Sequence, residues 1–453
     1  MPPNVLIVGG SDAGISAALR ARELDRNVSV RVLLADDFPN YSICGLPFYL
    51  SGETPNWRDL AHRKSFDGIE ILTSHSATSI DLVSKSLLAS TPGGVRSLAW
   101  DRLIVATGAS PVIPEITGRE LPGVFPLHTM EEAFAVEKHV AAFHPASAVI
   151  VGAGYIGVEM ADALTRRGIK VTLMGRSPIV FPSVDREFGT AIEDELRRNG
   201  VEVVNGANTT SISKQDGALR IEAEGGIART ADMVLLVVGV RPNSDVAGRA
   251  GIERGQRKAI VVNRRMETSL PGIYAAGDCA ETWHRLLQRH AYLPLGTTSH
   301  KQGRVAGENA IGGNKEFAGS VGTQVVKIFD IAVARTGLLH HEALKAGFDT
   351  MTVESTFRDH KAYYPGAHEL RFRVTGARDT GQLLGAQILG HWQAQVAKRV
   401  DVFATALFHG MTVDGVNDLD LSYTPPLSSP WDPVQMAAQA WTAYVRSMGS
   451  GSV

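Results

Sequence analysis

Two glycine-rich loops, each set between an apolar run and a helix-like stretch, constrain this chain more than any other feature. Val5–Gly14 reads VLIVGGSDAG, and Val149–Gly157 echoes it as VIVGAGYIG. A second echo joins Leu103–Gly108 (LIVATG) to Val234–Gly239 (VLLVVG). A strand that ends in glycines and turns into a helix offers backbone N–H groups and a positive helix end to a pyrophosphate. Two such units in one chain predict two dinucleotide-binding folds. The second lies inside the first if the segment near Gly277 returns to the first sheet. Strand-like runs alternate with amphipathic stretches over the first three hundred residues, the pattern of α/β layers with parallel sheets.

In the first loop, Gly9 and Gly10 follow the apolar Val5–Val8, and Gly14 opens a predicted helix, Ile15–Leu24. Ser11 stands where the usual middle glycine would be. A strand over Arg31–Leu34 is followed by Asp36 and Asp37, and spacing allows either acid to bind the ribose hydroxyls. A solvated acidic turn would look the same. The second loop is complete: Gly152, Gly154 and Gly157 follow the strand Ala148–Val151 and precede the helix Tyr155–Arg167. The next strand, Lys170–Met174, ends in Gly175-Arg176 with no acid. A guanidinium there binds a 2′-phosphate that a carboxylate would repel, which favours NADPH over NADH. An ordinary surface arginine is the alternative. One loop with an acid and one with an arginine suggest FAD plus NADPH.

Only two cysteines occur, Cys44 and Cys279, which excludes a disulfide scaffold and a Cys-rich zinc or iron–sulfur site. Cys44 lies in Tyr41–Leu50 (YSICGLPFYL), where Gly45-Leu46-Pro47 opens a helix-like segment. A thiol at a helix N-terminus has its pKa lowered. A buried structural cysteine is the common alternative. Lys plus Arg number 45 and Asp plus Glu 47, a net charge of −2 that argues against a nucleic-acid binder. Apolar runs such as Val234–Val238 fall far short of the ~20 residues that span a bilayer. No signal-peptide pattern precedes Val5, so a reducing cytoplasm is the expected setting.

From about Gly322 the character changes. Short β-like runs (Thr323–Phe329, Leu370–Val374, Leu383–Leu389) precede a helical Ala394–His409, a polar, Pro-rich Leu421–Pro433 and a helix-like Val434–Val445. This reads as a separate α+β domain. With 453 residues, about three domains are expected.

Several stretches together resemble the FAD- and NAD(P)-dependent pyridine nucleotide–disulfide oxidoreductases. They are Cys44–Tyr49 (CGLPFY), Ala106–Pro111 (ATGASP), Gly152–Glu159 (GAGYIGVE), Gly239–Asn243 (GVRPN), Ile273–Glu281 (IYAAGDCAE), Leu295–Thr298 with Lys301–Arg304, Tyr363–Gly366 and Tyr423–Pro433. The nearest branch is the single-cysteine one of CoA-disulfide reductases, CoA-persulfide reductases, NADH oxidases and NADH peroxidases. The resemblance implies two Rossmann-like domains, an FAD domain over 1–112 and 244–322 and an NAD(P)H domain over 113–243. A C-terminal α+β dimerisation domain would cover 323–453. It implies that Gly9, Gly10, Gly14 and Asp36 hold FAD, with Thr107, Gly108, Gly277 and Asp278 as further contacts. Gly152, Tyr155, Ile156, Gly157, Arg176 and Gly239 would hold NADPH. Cys44 would be the redox residue and Cys279 a packing residue. Tyr363 or Tyr364, and Tyr423, would approach the active site from the partner of a homodimer, or pack its interface.

The sequence also departs from that branch. Asp12 stands where oxidases and peroxidases carry a histidine, which disfavours oxygen or peroxide turnover. Ile43 and His300 stand where CoA-using members carry asparagines, and Asn40 replaces a serine. His300 could protonate a leaving thiolate or be structural. Arg20 and Arg22 could meet an anionic substrate or form a solvated helix face. The expected activity is NAD(P)H-dependent reduction of a disulfide or persulfide through a mixed disulfide at Cys44, with no nucleic-acid or membrane partner and no metal. An NAD(P)H oxidase using a cysteine sulfenic acid, a reductase of a metalloid or other thiol-reactive species, and a low-turnover flavoprotein sensor remain as alternatives.

Overall fold

Continuous apolar runs belong in strands covered on both faces, and the computed structural model, which describes residues 2–449, builds two parallel sheets from them. The first sheet has the spatial order Ile273–Ala275, Arg102–Val105, Asn4–Val8, Ser29–Leu33, Ile69–Leu72. Val5, Leu6 and Ile7 are fully buried at its centre. The helix Asp12–Leu24 begins at the first glycine loop, three residues earlier than periodicity suggested, and packs along the helix Gly296–Ala310. The second sheet has the order Glu202–Asn205, Lys170–Gly175, Ser147–Val151, Met233–Leu236, Val124–Pro126. Its glycine loop leads into the helix Tyr155–Arg166.

The chain leaves the first sheet after Arg102–Val105, builds the second sheet, and returns to the first at Ile273–Ala275. An antiparallel pair, Ala109–Pro111 with Val240–Pro242, straps the outgoing and returning segments together. Each unit also carries a three-stranded antiparallel sheet, built by Ser76–Asp81, Ser86–Thr91 and Gly94–Ala99 in one and by Thr209–Gln215, Ala218–Ala223 and Ile227–Ala231 in the other. The repeat in the sequence is therefore a repeat of whole units.

The C-terminal part is a five-stranded antiparallel sheet, in the order Gln324–Ile328, Ile331–Gly337, Leu383–His391, Glu369–Ala377, Thr350–Arg358. The helices Val396–Phe408 and Pro433–Gly449 pack on it, with Phe372 fully buried near Phe357 and Phe403. Met1 and the tail beyond 449 lie outside the described residues. Buried polar links fasten this sheet to the second unit. Asp185 N–H donates to Gln387 Oε1 at 2.8 Å, Gln387 Nε2 donates to Asp185 Oδ2 at 2.8 Å, and Arg373 reaches the same carboxylate at 3.0 Å. Phe329 N–H donates to Asp162 at 2.8 Å. Among the described residues no helix is long and apolar enough to cross a membrane.

The third glycine of each loop lets the helix start press against the strand end. A Cβ on Gly14 would lie 1.8 Å from the Gly9 carbonyl oxygen, and one on Gly157 would lie 1.8 Å from that of Gly152. Gly157→Ala is therefore expected to force the loop apart and cost about 1–3 kcal/mol, as overpacking does. Gly154→Ala, where a Cβ meets nothing within 4 Å, is the control and should cost less than about 1 kcal/mol. Thermal midpoints of the two variants check this; equal losses would contradict it.

Candidate active site

Both glycine loops and the Cys44 turn open onto one cleft of about 2240 Å³. The first unit contributes Gly9, Gly10 and Asp12, then Asp36 and Cys44, and the loops of Thr107-Gly108 and Gly277-Asp278. The second unit contributes Gly152, Gly154, Tyr155 and Ile156 from its loop, with Arg176 and Gly239 at the ends of adjoining strands. Gly14 and Gly157 do not line the cleft; they shape the loops from beneath. The backbone at Gly108, Gly154 and Gly239 faces open space, with no atom within 4 Å of where a Cβ would stand. That leaves room for an extended dinucleotide along each loop, so the residues present fit FAD on one side and a nicotinamide nucleotide on the other.

The two candidate ribose acids part company in the structure. Asp36 lines the cleft, accepts a hydrogen bond from Phe38 N–H at 2.9 Å, and has its carboxyl pushed up by burial. Asp37 is exposed outside the cleft and accepts from Ser74 Oγ at 2.7 Å. Arg176 is exposed at the end of its strand and, among the described residues, forms no ion pair. The Tyr155 phenol donates to Gln324 Oε1 of the C-terminal sheet, and its ring meets Phe181 edge-on at 4.6 Å.

Cys44 sits in the single turn Ile43–Gly45, ahead of the short helix Leu46–Ser51. Its side chain is exposed and opens to the cleft. The expectation of a lowered thiol pKa is corrected here. The thiol is pushed up, first by burial and then by Glu159, Asp12 and Asp278, and its own backbone N–H opposes this only weakly. A helix of two turns cannot outweigh three carboxylates delivered by other elements. Glu159, one turn beyond Tyr155, is pushed up to about 7 by burial, with Asp162 adding to the effect. Asp278 is also pushed up by burial, although Ser299 Oγ donates to it at 3.0 Å.

Glu159 lines the cleft but was not singled out by sequence reasoning, although it closes the GAGYIGVE stretch. Its position at i+4 from Tyr155 on a helix that opens at the cleft was the available signal. His128, which burial lowers and which feels the charge of Asp278, was missed as well; it lies in a segment with no motif. Cys279 is fully buried, with its sulfur 3.4 Å from the carbonyls of Val105 and Ala276. His300 does not line the cleft: its Nδ1 lies 2.9 Å from Ser16 Oγ and its Nε2 lies 3.3 Å from Asp12 Oδ1. Tyr363, Tyr364 and Tyr423 are exposed on the C-terminal domain, away from this subunit's cleft. Arg20 and Arg22 are not available to an anionic substrate. Arg20 pairs with Glu308 at 2.7 Å and Glu23 at 3.0 Å, and Arg22 is bonded to the carbonyls of Arg26 and Val28.

Residues 3–303 match the family described as pyridine nucleotide-disulphide oxidoreductase, and residues 323–433 match its dimerisation domain. The NAD(P)H sulfur oxidoreductase (CoA-dependent) of Pyrococcus furiosus is 34% identical over 440 residues, covering 96% of this chain and 98% of that protein. The coenzyme A disulfide reductase of Staphylococcus aureus is 30% identical over 443 residues, covering 96% and 98%. The solved structure of an NAD-dependent persulfide reductase from A. fulgidus superposes with a TM-score of 0.94 at 36% identity, covering 98% of this chain and 84% of that one. A match that runs through both nucleotide units and the C-terminal sheet makes this chain a member of the pyridine nucleotide-disulphide oxidoreductases, a family of enzymes.

Proposed function

We propose that this enzyme uses NADPH and FAD to reduce a disulfide or persulfide, of the coenzyme A class, through Cys44 as its one redox-active sulfur. The observation that carries the reading is the opening of the Cys44 side chain into the cleft that both glycine loops line. Gly9, Gly10, Asp36, Thr107, Gly108, Gly277 and Asp278 would hold FAD, with Gly14 setting the loop. Gly152, Tyr155, Ile156, Arg176 and Gly239 would hold NADPH, with Gly157 in the same supporting role. The Cys44 thiolate attacks one sulfur of the substrate, forms a mixed disulfide with that half, and expels the other half as a thiolate. FAD and the nicotinamide nucleotide, when bound, would supply the two electrons with which the retained half leaves and the Cys44 thiolate is restored. Glu159, with its carboxyl near 7, holds a proton over part of the neutral range, so a proton for the departing thiolate is at hand within the cleft.

Coenzyme A as the thiol is supported by the names of the Pyrococcus and Staphylococcus relatives. The Asn40 amide is turned toward Asp12 at 3.5 Å. NADPH over NADH rests on Arg176, exposed where a ribose acid would otherwise stand. A homodimer is supported by the dimerisation-domain match and by the exposed aromatic rings of Tyr363, Trp392, Tyr423 and Trp431 around it. In such a dimer Tyr363 or Tyr423 would enter the partner's cleft. A reducing compartment such as the cytoplasm suits a working thiol.

Cys44→Ser is expected to keep FAD and its reduction by NADPH while disulfide turnover falls to background. Unchanged turnover would refute the assignment. The assay is anaerobic NADPH oxidation against CoA disulfide, CoA persulfide, glutathione disulfide and small disulfides. Oxygen uptake without any disulfide would instead favour the sulfenic-acid oxidase, against which Asp12 in place of an imidazole speaks.

For the coenzyme, kcat/KM for NADPH should exceed that for NADH. Arg176→Ala should shrink the ratio by about tenfold or more, since a hydrogen bond to a charged group is worth about 1.5–3 kcal/mol. A parent enzyme that prefers NADH would contradict the role of Arg176.

A further inference from the structure

Cys44 precedes the second unit in sequence, yet the segment that carries it packs against that unit. Leu46, Leu50 and Leu60 are buried in the core of the second unit. Phe38 and Trp57 meet Phe134 of the helix Met130–Phe143 at 5.6 and 5.3 Å, ring centre to ring centre. None of these side chains joins the core of the first unit. The segment reaches the first glycine loop through Asn40, whose N–H donates to the Gly10 carbonyl at 2.8 Å. The short helix Leu46–Ser51 lies on the helix Tyr155–Arg166. Two helices that open at the cleft, one at the thiol and one at the second glycine loop, are therefore packed together.

Arg167 ends the helix Tyr155–Arg166. Its Nη1 donates to the Leu50 carbonyl at 3.0 Å and to Glu137 Oε2 at 2.8 Å, while Nη2 donates to Glu137 Oε1 at 3.4 Å. Leu50 lies in the last turn of its helix, where carbonyls have no partner inside the helix. Glu137 comes from the helix Met130–Phe143, so one guanidinium joins three helices. Among the described residues, it makes the one hydrogen bond between residues 38–60 and the second unit. Arg166 cannot stand in for it, being paired with Asp162. We propose that Arg167 is a positioning residue for Cys44: it locks the helix behind the thiol to the helix of the second glycine loop, so the sulfur keeps a fixed place relative to the nicotinamide unit. This rests on the reading of Cys44 as the redox sulfur. Arg167 does not line the cleft, so it acts only through the helix it holds. A planar guanidinium that reaches two acceptors in fixed directions suits this task better than an ammonium. With the lock gone, Leu46 and Leu50 still hold the segment on the second unit, but the helix is free to slide along its neighbour. The disulfide step, which demands close alignment of sulfur with sulfur, then suffers. Flavin reduction by NADPH does not use the sulfur and is spared.

The test is anaerobic stopped flow on the FAD-loaded enzyme, with two half-reactions followed separately. One is flavin reduction by NADPH; the other is reoxidation by the disulfide that the parent turns over fastest. Arg167→Met should slow reoxidation about tenfold or more and change flavin reduction by less than about twofold. Arg167→Lys should recover part of the loss, because an ammonium can still donate to the Leu50 carbonyl. Glu137→Gln, which keeps an acceptor for Arg167, should cost less than Arg167→Met and add little in the Arg167→Met background. A second readout does not depend on turnover: alkylation of Cys44 by iodoacetamide in the dithiothreitol-reduced holoenzyme, read by mass spectrometry. Its rate should rise about threefold or more in Arg167→Met, as the loosened helix exposes the sulfur, with Arg167→Lys in between. Equal slowing of both half-reactions, or unchanged reoxidation and alkylation, would overturn the lock. If Arg167→Met does not fold, Arg167→Lys decides: its loss must fall on reoxidation alone. Disulfide turnover surviving in Cys44→Ser would end the functional reading instead, and the alkylation rates would still judge the lock.

Discussion

The first turn of a helix leaves backbone N–H groups without partners inside the helix, and the architecture of this enzyme follows from where two such turns point. Each belongs to a strand–glycine–helix unit whose third glycine permits contact between the helix start and the strand end. The two parallel sheets bring those turns to one cleft, which the Cys44 turn also lines. The antiparallel sheet closes the assembly through Asp185, Gln387 and Arg373, and through Asp162 and the Phe329 amide. Asp185, Gln387 and Arg373 answer one another there, so the junction fixes an orientation as well as adding contact area.

The same cleft is acidic around its sulfur. Glu159, Asp12 and Asp278 approach Cys44 from three elements, and burial makes each of their charges count for more. A resting thiol kept protonated in this way is sheltered from adventitious oxidation, because the thiolate is the reactive form.

The sequence made the two nucleotide units legible because their signals are local. Val5–Val8 and Ala148–Val151 are continuous apolar runs, and Gly9 and Gly152 are glycines that the turn itself requires. The placement of Cys44 on a loop was local too, but its electrostatics were not. Residues 12, 159 and 278 meet it only through the topology, so no window of sequence could have reversed the expected direction of its pKa. The Asp12–His300 contact was hidden for the same reason, since it joins helices 284 residues apart between Ser16 and His300. Other features were present and went unread. Thr129 and Glu132 form a capping box at the head of the helix Met130–Phe143. Two strands of the C-terminal sheet, Ile331–Gly337 and Thr350–Arg358, lacked a turn signature: the hairpin into the former passes through Phe329 at a φ of 49° and Asp330, where Asn-Gly would be the usual sign.

The way the second unit is threaded into the first has a practical outcome for anyone dissecting the protein. The first sheet is finished only by Ile273–Ala275, and its helix Asp12–Leu24 is covered only by Gly296–Ala310. A fragment ending anywhere before residue 273 would carry an open sheet edge and a bare helix face, although most of the first unit's residues would be in it. The second sheet is built from one contiguous stretch, whereas the first is split on either side of it. Excising the insert and rejoining the chain across the Ala109–Pro111 and Val240–Pro242 strap would leave the first sheet whole but would uncover Leu46, Leu50 and Leu60, which pack in the insert's core.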